Sequence, residues 1–546
     1  MKYFDTYNEW LTKADNNTVN ELKTISDDEI EDRFYCDIEF GTGGLRGIMG
    51  AGTNRMNKYT VGKATQGLCN YIKSNGPKCM ERGVVIAYDS RNNSKEFAEH
   101  TGRILSSNGI KAYIFDSLHP TPMLSFAVRY LNCFAGVVIT ASHNPKEYNG
   151  YKIYGEDGGQ LPVEAANMIF EFITKVDIFD VVVDLNAQLN VLDSDVDEAY
   201  YKAVMQQSIN HNINKECLKI VYTPLHGSGN IPVREILKRT GFENTTVVKN
   251  QEQPDGNFPT VKTPNPENKE CFTEAINMAE KIGGDIIIGT DPDCDRVGVA
   301  IRTKKGTYET ITCNQVGALL TDYMLDENIS TKDAVVSTIV SSRLIKEICK
   351  KKGASYFDVL TGFKFIGEKI HEFELAQNYN FIFGAEESYG YLAGTYARDK
   401  DGVVASMLIC EMAAYYKNMG KTLIDRLNEL YSEYGYHYEQ LITVDLEGIQ
   451  GQKKIAEIMK KIRMCDGLNY KISGIVDYLN GIDTLPKSDV VQVIFDDESS
   501  MIVRPSGTEP KIKFYIHTKG NRKDEAINKN NMVKKFISGI IEINTV

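Results

Sequence analysis

The chain has 546 residues, 42% of them hydrophobic and 25% charged, close to the soluble globular average, which excludes disordered, collagen-like and small disulfide-scaffold classes. At roughly 150 residues per domain there is material for about three to four domains. The formal charge of −12 repels a polyanion and no basic run offsets it, so nucleic acid is not expected as a partner.

No stretch approaches about 18 consecutive apolar residues, and the first residues, MKYFDTYNEWLTKADNN, are mixed polar without an apolar signal core. Neither a membrane segment nor a signal peptide is expected, and the cytoplasm is the default location. The 11 cysteines are an odd number, scattered from Cys36 to Cys465 without a C-x-x-C pair, which fits reduced thiols better than disulfides or a zinc knuckle.

In chain order, the first unusual segment is Gly41-Thr42-Gly43-Gly44-Leu45-Arg46-Gly47. It is not G-x-G-x-x-G, because Arg46 takes the last glycine position, and no Gly-Lys-Ser/Thr makes it a Walker A loop. Two readings stand: a flexible loop with a buried Arg46, or a loop whose backbone and Arg46 meet a phosphate. Four later segments share one grammar, a β-rich apolar run ending in small or polar residues: VVIAYDSR (84–91), AGVVITASHNP (135–145), LKIVYTPLHGSG (218–229) and DIIIGTDPDCDR (285–296). AVVSTIVSS (334–342) and FIFGAEES (381–388) repeat it. With helical patterns between them these are α/β units, whose ligands bind beyond the carboxyl ends of the strands, where the polar tails sit. The last hundred or so residues read as helix first and then strand around MIVRPSGTEPKIKFYIHT (501–518), an α+β domain. Joins fall at DSDVDEAYY (193–201), after IRTKKGTYET (301–310) and at YSEYGYHYEQ (431–440), giving four domains at 1–205, 206–312, 313–435 and 436–546.

Four sites carry chemistry. Thr140-Ala141-Ser142-His143-Asn144-Pro145 places a hydroxyl at the end of a buried run. It is not a G-x-S-x-G elbow and no acyl-transfer triad can be assigned, so an esterase is excluded; alone, Ser142 reads as a turn or capping serine, and His143 as either its proton carrier or a turn residue. Asp291, Asp293 and Asp295 put three carboxylates at alternate positions after a strand. An EF-hand is rejected because its glycine position holds Arg296 and its twelfth position Arg302; Mg²⁺ suits three hard oxygens with room left for phosphate, and three like charges without a cation repel. Glu386-Glu387-Ser388, with Arg398-Asp399-Lys400-Asp401 following, offers a carboxylate and a hydroxyl to vicinal sugar hydroxyls, or else a helix start. Arg504-Pro505-Ser506-Gly507-Thr508-Glu509-Pro510-Lys511 is a phosphate cradle by composition, or else a tight hairpin turn.

Taken in order, GTGGLRG, TASHNP with NGYK (149–152), DPDCDR, TGFK (361–364), EES with RDKDG, and RPSGTEPK resemble the α-D-phosphohexomutase family over residues 41–511, and most closely its branch of long bacterial phosphoglucomutases and related phosphopentomutases. It differs at Ala385, where many members have glycine. The resemblance implies a heart-shaped molecule of three related α/β domains and a C-terminal α+β domain around a central cleft. It further implies a phosphoserine at Ser142 and Mg²⁺ on Asp291, Asp293, Asp295 and a Ser142 phosphoryl oxygen. Arg46, His143, Lys152 and Arg296 would lie nearby, Lys400 would be a candidate proton carrier, and Thr361, Glu386 and Ser388 would meet the sugar. Arg504, Ser506, Gly507 and Thr508 would grip the phosphate that is not reacting. The implied activity is interconversion of α-D-glucose 1-phosphate and glucose 6-phosphate through glucose 1,6-bisphosphate, which also serves as activator, with a small phosphosugar as the binding partner. Phosphopentomutase or phosphomannomutase activity is the alternative within the class. An Mg²⁺-dependent sugar phosphatase, in which water takes the phosphoryl group, and a non-enzymatic phosphosugar-binding protein are the alternatives outside it.

Overall fold

The computed structural model describes residues 2–41, 44–325, 329–446, 448–464, 471–483, 485–506 and 511–542. One compact unit comprises Met1–Thr312, Ile366–Gly384 and Ser388–Gly420, and another Cys313–Phe365, Ala385–Glu387 and Lys421–Val546.

In the first unit, β1 (Gly44–Ile48), β2 (Val84–Tyr88), β3 (Ala112–Phe115), β4 (Ala135–Ile139), β5 (Tyr148–Tyr154) and β6 (Asn190–Leu192) form one sheet in the order β1-β5-β4-β2-β3-β6. Strands β2, β3, β4 and β6 are parallel, while β5 runs antiparallel to both its neighbours, β4 and β1. Every residue of β2 and β4 is buried, as uninterrupted Val/Ile/Ala runs require. Val84, Ile86, Val137 and Ile139 pack with Leu68 and Ile72 of the helix Lys58–Ser74 and with Ile104 and Leu105 of the helix Ser94–Ser107. From β2 the chain crosses to β3 on one side, and from β3 it returns to β4 on the other. The connections therefore diverge above the β2–β4 pair and leave a crevice at the carboxyl ends of those strands.

The same logic recurs in β7 (Ile220–Thr223), β8 (Thr245–Val247), β9 (Ile286–Thr290), β10 (Val297–Arg302) and β11 (Tyr308–Ile311), ordered β11-β10-β9-β7-β8 with the divergence between β7 and β9. β9, apolar up to its last residue Thr290, is again wholly buried.

Two segments depart from the sequence reading, the first because no element was read there. The mixed-polar N-terminus folds into three helices, Lys2–Lys13, Asn16–Leu22 and Asp27–Phe34. Asp15 caps the second, and Ser26 with Glu29 forms a capping box on the third. Trp10 lies fully buried among them, its ring 5.1 Å from Tyr59 and 5.6 Å from Phe34. The second departure is the glycine-rich segment, whose Gly44–Ile48 part is a strand rather than a loop. It runs so close to β5 that a Cβ on Gly44 would sit 2.2 Å from the Tyr151 carbonyl oxygen. Thr42 and Gly43 lie outside the described residues.

In the second unit, β12 (Asp333–Thr338) and β13 (Ser355–Val359) pair in parallel. Next in the chain are β14 (Asn380–Glu386), within which the chain passes from one unit to the other, and β15 (Gly390–Ala393) of the first unit. The second unit then builds an antiparallel sheet from β16 (Tyr436–Asp445), β17 (Ile472–Asp477), β18 (Val491–Phe495), β19 (Ser500–Pro505) and β20 (Lys511–Gly520), in the order β16-β20-β19-β18-β17. Ile458 and Ile462 of the helix Gly448–Met464, with Val533 and Ile537 of the helix Lys523–Glu542, pack on it. This sheet begins earlier than the helix-then-strand reading places it, at Tyr436, one residue after the Gly435 that ends the helix Leu423–Tyr434. Among the described residues every cysteine is free, and no helix is long and apolar enough to cross a membrane.

Because Trp10 fills the centre of the N-terminal helices, Trp10→Ala is expected to cost about 3–5 kcal/mol of local stability. Limited proteolysis across residues 2–34 reads it directly; an unchanged cleavage rate contradicts the packing of these helices on Trp10.

Candidate active site

Ser142 sits immediately beyond β4 in the left-handed region, φ 50°, which costs a residue bearing a side chain about 1–2 kcal/mol. Its surroundings sustain that turn. The Ser142 amide donates to Thr140 Oγ1 at 2.7 Å, and the Thr140 hydroxyl donates to Asp89 Oδ2 at 2.6 Å, Asp89 being the first residue after β2. The Ser142 hydroxyl, itself 3% exposed, donates to Asp291 Oδ2 at 2.7 Å. The two strand-end loops that reading in sequence singled out, 149 residues apart, are thus joined by a hydrogen bond.

The aspartate turn after β9 folds back on itself: the amides of Asp295 and Arg296 donate to Asp291 Oδ1 at 3.1 and 3.0 Å, with Cys294 at φ 51°. Thr121 holds Asp293 from outside through its hydroxyl, 3.0 Å from Oδ2, and its amide, 2.9 Å from the Asp293 carbonyl. All three carboxylates are buried, and each offers an oxygen within 4.8 Å of the others. Lys152 Nζ lies 3.2 Å from Asp293 Oδ2, and Lys400 Nζ 3.0 Å from Asp295 Oδ2. Even so, Asp293 Oδ1 and Asp295 Oδ1 are buried without a hydrogen-bond donor among the described residues. Burial, then the charges of Asp295 and Asp293, push the Asp291 carboxyl well above its ordinary range. Burial acts on Asp293 in the same direction, but Lys152 and hydrogen bonding with Asp291 outweigh it and hold Asp293 below the ordinary range. Orphaned hard oxygens converging among like charges are the donor set of a divalent cation, and among the described residues this is the only such group.

Of the remaining predicted residues of this unit, His143, Arg46, Arg296 and Lys400 fall around that centre. His143 Nδ1 is 3.3 Å from Ser142 Oγ. Burial, then the charges of Arg296 and Arg46, push its imidazole well below the ordinary value, so it is neutral at pH 7. Arg46, on β1, is exposed rather than buried and donates to Asn144 Oδ1 at 3.1 Å. Arg296 turns its guanidinium to Glu267, with Nη1 2.6 Å from Oε1. Lys400 rides on a clamped loop. Asp399 accepts from Tyr154 Oη at 2.6 Å and Gln160 Nε2 at 2.7 Å; Asp401 accepts from Tyr200 Oη at 2.8 Å and Tyr396 Oη at 2.6 Å. Ser388 follows β14 in the turn to β15, half-buried.

In the second unit, Thr361 Oγ1 is buried with no hydrogen-bond partner among the described residues, and Glu386 is buried at the end of β14. Glu387 Oε2 accepts from Thr338 Oγ1 at 2.7 Å. Arg504 lies on β19 opposite Lys513, and the Ser506 amide donates to the Lys511 carbonyl at 2.8 Å. Gly507 and Thr508 lie outside the described residues. Reading in sequence missed Asp89, Arg91, Thr121 and Glu267; Asp89 and Arg91 stand in the polar tail of VVIAYDSR, the one signal that could have found them.

The chain matches the family models described as phosphoglucomutase/phosphomannomutase, alpha/beta/alpha domain I over residues 37–178, domain II over 198–306 and domain III over 312–434. It is 38% identical over 547 aligned residues to a protein of Staphylococcus aureus (strain USA300) named phosphoglucomutase, covering 96% of this chain and 97% of that one. Among solved structures, a putative phosphomannomutase from Thermus thermophilus superposes with a TM-score of 0.69 at 21% identity, covering 91% of this chain and 99% of its own. A phosphoglucomutase/phosphomannomutase family protein from Burkholderia thailandensis gives 0.70 at 17% identity, covering 93% and 97%. At these identities the two structures show likeness of fold.

Two outcomes are expected from this geometry. Isothermal titration with Mg²⁺ saturates at about one ion per chain, and Asp293→Asn weakens it more than about tenfold; equal affinity in that variant would place the ion elsewhere. In the second unit, burial and then the neighbouring Glu386 charge raise the Glu387 carboxyl from 4.5 to about 7. A raised carboxyl favours the folded state while protonated, and that contribution is lost as pH climbs through the folded value. Glu387→Gln, which stays neutral, therefore melts above the wild type at pH 8.5 and no higher than it at pH 4; a constant difference across pH contradicts the assignment.

Proposed function

The chain belongs to the phosphoglucomutase/phosphomannomutase family, and from that premise we propose that it interconverts α-D-glucose 1-phosphate and glucose 6-phosphate through a phosphoserine at Ser142. The observation that carries the proposal is the 2.7 Å approach of the Ser142 hydroxyl to a buried, cation-seeking aspartate triplet. A turn serine has no need of such a neighbour.

When bound, Mg²⁺ held by Asp291, Asp293, Asp295 and an oxygen on Ser142 supplies positive charge against the oxygens of a phosphoryl group in transfer. The protein's own residues do the rest. Lys152 and Lys400, fixed by Asp293 and Asp295, and Arg46, presented by β1, add positive charge around the same oxygens. In the first transfer a bond forms between a sugar oxygen and phosphorus as the bond from phosphorus to Ser142 Oγ breaks. The proton leaving the sugar hydroxyl ends on Ser142 Oγ, and neutral His143 at 3.3 Å and Lys400 are the groups to carry it. The bisphosphate so formed turns end for end and returns its other phosphoryl group to Ser142. For Thr361, Glu386 and Ser388 the proposal keeps contact with sugar hydroxyls, for Arg296 a place beside the substrate, and for Arg504, Ser506, Gly507 and Thr508 the non-reacting phosphate. The four segments 1–205, 206–312, 313–435 and 436–546 are proposed as the domains that carry these parts.

The test is a coupled assay of purified protein with glucose 1-phosphate, Mg²⁺ and a trace of glucose 1,6-bisphosphate, run beside mannose and ribose 1-phosphates. Glucose 6-phosphate formation, one phosphoryl group on Ser142 by intact mass, and loss of more than about 10⁴-fold in Ser142→Ala are expected. Inorganic phosphate released without isomerised sugar would replace the mutase with a phosphatase, and a higher kcat/KM for another sugar would replace glucose.

A further inference from the structure

Beneath Ser142 lies a buried arginine that the phosphoryl-transfer reading does not use. Arg91, 3% exposed, follows Asp89 at the end of β2. Its guanidinium donates to four carbonyl oxygens of the serine loop: Nη1 to Pro145 at 2.8 Å and Tyr148 at 3.0 Å, Nη2 to Ser142 and Asn144. Nε lies 3.4 Å from Asp89 Oδ2. That same oxygen takes the Thr140 hydroxyl, and Asp89 Oδ1 takes Ser94 Oγ at 2.7 Å and the Arg91 amide at 2.9 Å. The Phe258 ring covers the guanidinium, its centroid 5.1 Å away, and Asn92 Nδ2 donates to neighbouring Asn257 Oδ1 at 3.1 Å.

Four carbonyl dipoles converging on one point repel unless a cation with several fixed N–H vectors stands there, and only a guanidinium offers them in a planar fork. The fork holds the carbonyl side of Ser142 while Asp89, through Thr140, holds its amide side. With both peptide planes fixed, the left-handed φ and the direction of the Cα–Cβ bond follow, and from there the hydroxyl reaches Asp291 Oδ2. Simple loop anchoring would be met by one or two of these contacts; a clamp on each side of one residue specifies orientation.

We infer that Arg91, paired with Asp89 and acting with Thr140, is a positioning residue that aims the Ser142 oxygen for phosphoryl transfer. The inference rests on Ser142 being the phosphoryl carrier. Arg91→Lys keeps the charge and loses the fork; Thr140→Val keeps the shape and loses the relay to the Ser142 amide. Both are compared with the wild type and Ser142→Ala in steady state with glucose 1-phosphate and in single-turnover phosphorylation of the serine by glucose 1,6-bisphosphate, with Mg²⁺ affinity measured alongside. Arg91→Lys is expected to lower kcat and the phosphorylation rate about 100-fold, with KM and Mg²⁺ affinity within about twofold of wild type. Thr140→Val is expected to lower both rates about tenfold. Wild-type rates per folded molecule, or a rise in KM at constant kcat, overturn the inference. Where Arg91→Lys does not fold, Thr140→Val decides alone, wild-type rates overturning the proposal. An active Ser142→Ala removes the phosphoserine reading and this inference with it; an inactive Ser142→Ala beside a normal Arg91→Lys and Thr140→Val removes the positioning role only.

Discussion

Three carboxylates buried within 4.8 Å of one another are an electrostatic liability, and much of the first unit is arranged around containing it. Main-chain amides of the same turn, Thr121, Lys152 and Lys400 each take one share of the negative charge, and the oxygens left over are the reason a cation belongs there. The serine hydroxyl completes the set from a different strand end. Both loops stand where chain connections diverge in their sheets, so the parallel architecture opens a crevice without interrupting a hydrogen-bond ladder.

Lysine 400 shows how such a centre is kept in register. A lysine on a mobile loop would spread its charge over many rotamers. Here the residues on either side are the fixed ones: Asp399 is tied to Tyr154 and Gln160, Asp401 to Tyr200, Tyr396 and the first turn of the helix Gly402–Asn418. Gly402 follows so tightly on the aspartate turn that a Cβ there would approach the Cys294 carbonyl oxygen to 2.5 Å. The acidic residues around Lys400 thus serve as anchors for tyrosine hydroxyls and helix amides, leaving the ammonium group to face Asp295.

The strands of the α/β sheets were legible because β2, β4, β7, β9 and β12 are continuous Val/Ile-rich runs that only two-sided burial explains. The N-terminal helices were not: Tyr3, Tyr7, Trp10 and Leu11 stand at helical spacing in the first, but the two that follow are short and mostly polar, and what binds them is one aromatic cluster that includes Tyr59 and Phe179 from later in the chain. Strand β1 was hidden by its glycines, which signal loops until a neighbouring strand demands their lack of side chain. The metal-seeking triplet could be read because it is local, whereas Ser142 alone reads as a turn serine and stood out only through the resemblance. Thr121 and Asp293 are 172 residues apart, and Arg91 reaches carbonyls 51 to 57 residues away; such partnerships are made by the sheet, and no spacing rule announces them.

The N-terminal aromatic cluster contains the only tryptophan in the chain. Light absorbed at the red edge of the protein band, where tyrosine is transparent, therefore excites a single indole, held in a dry environment with ring edges on several sides. The molecule carries a native optical reporter whose emission colour follows the seating of its first three helices.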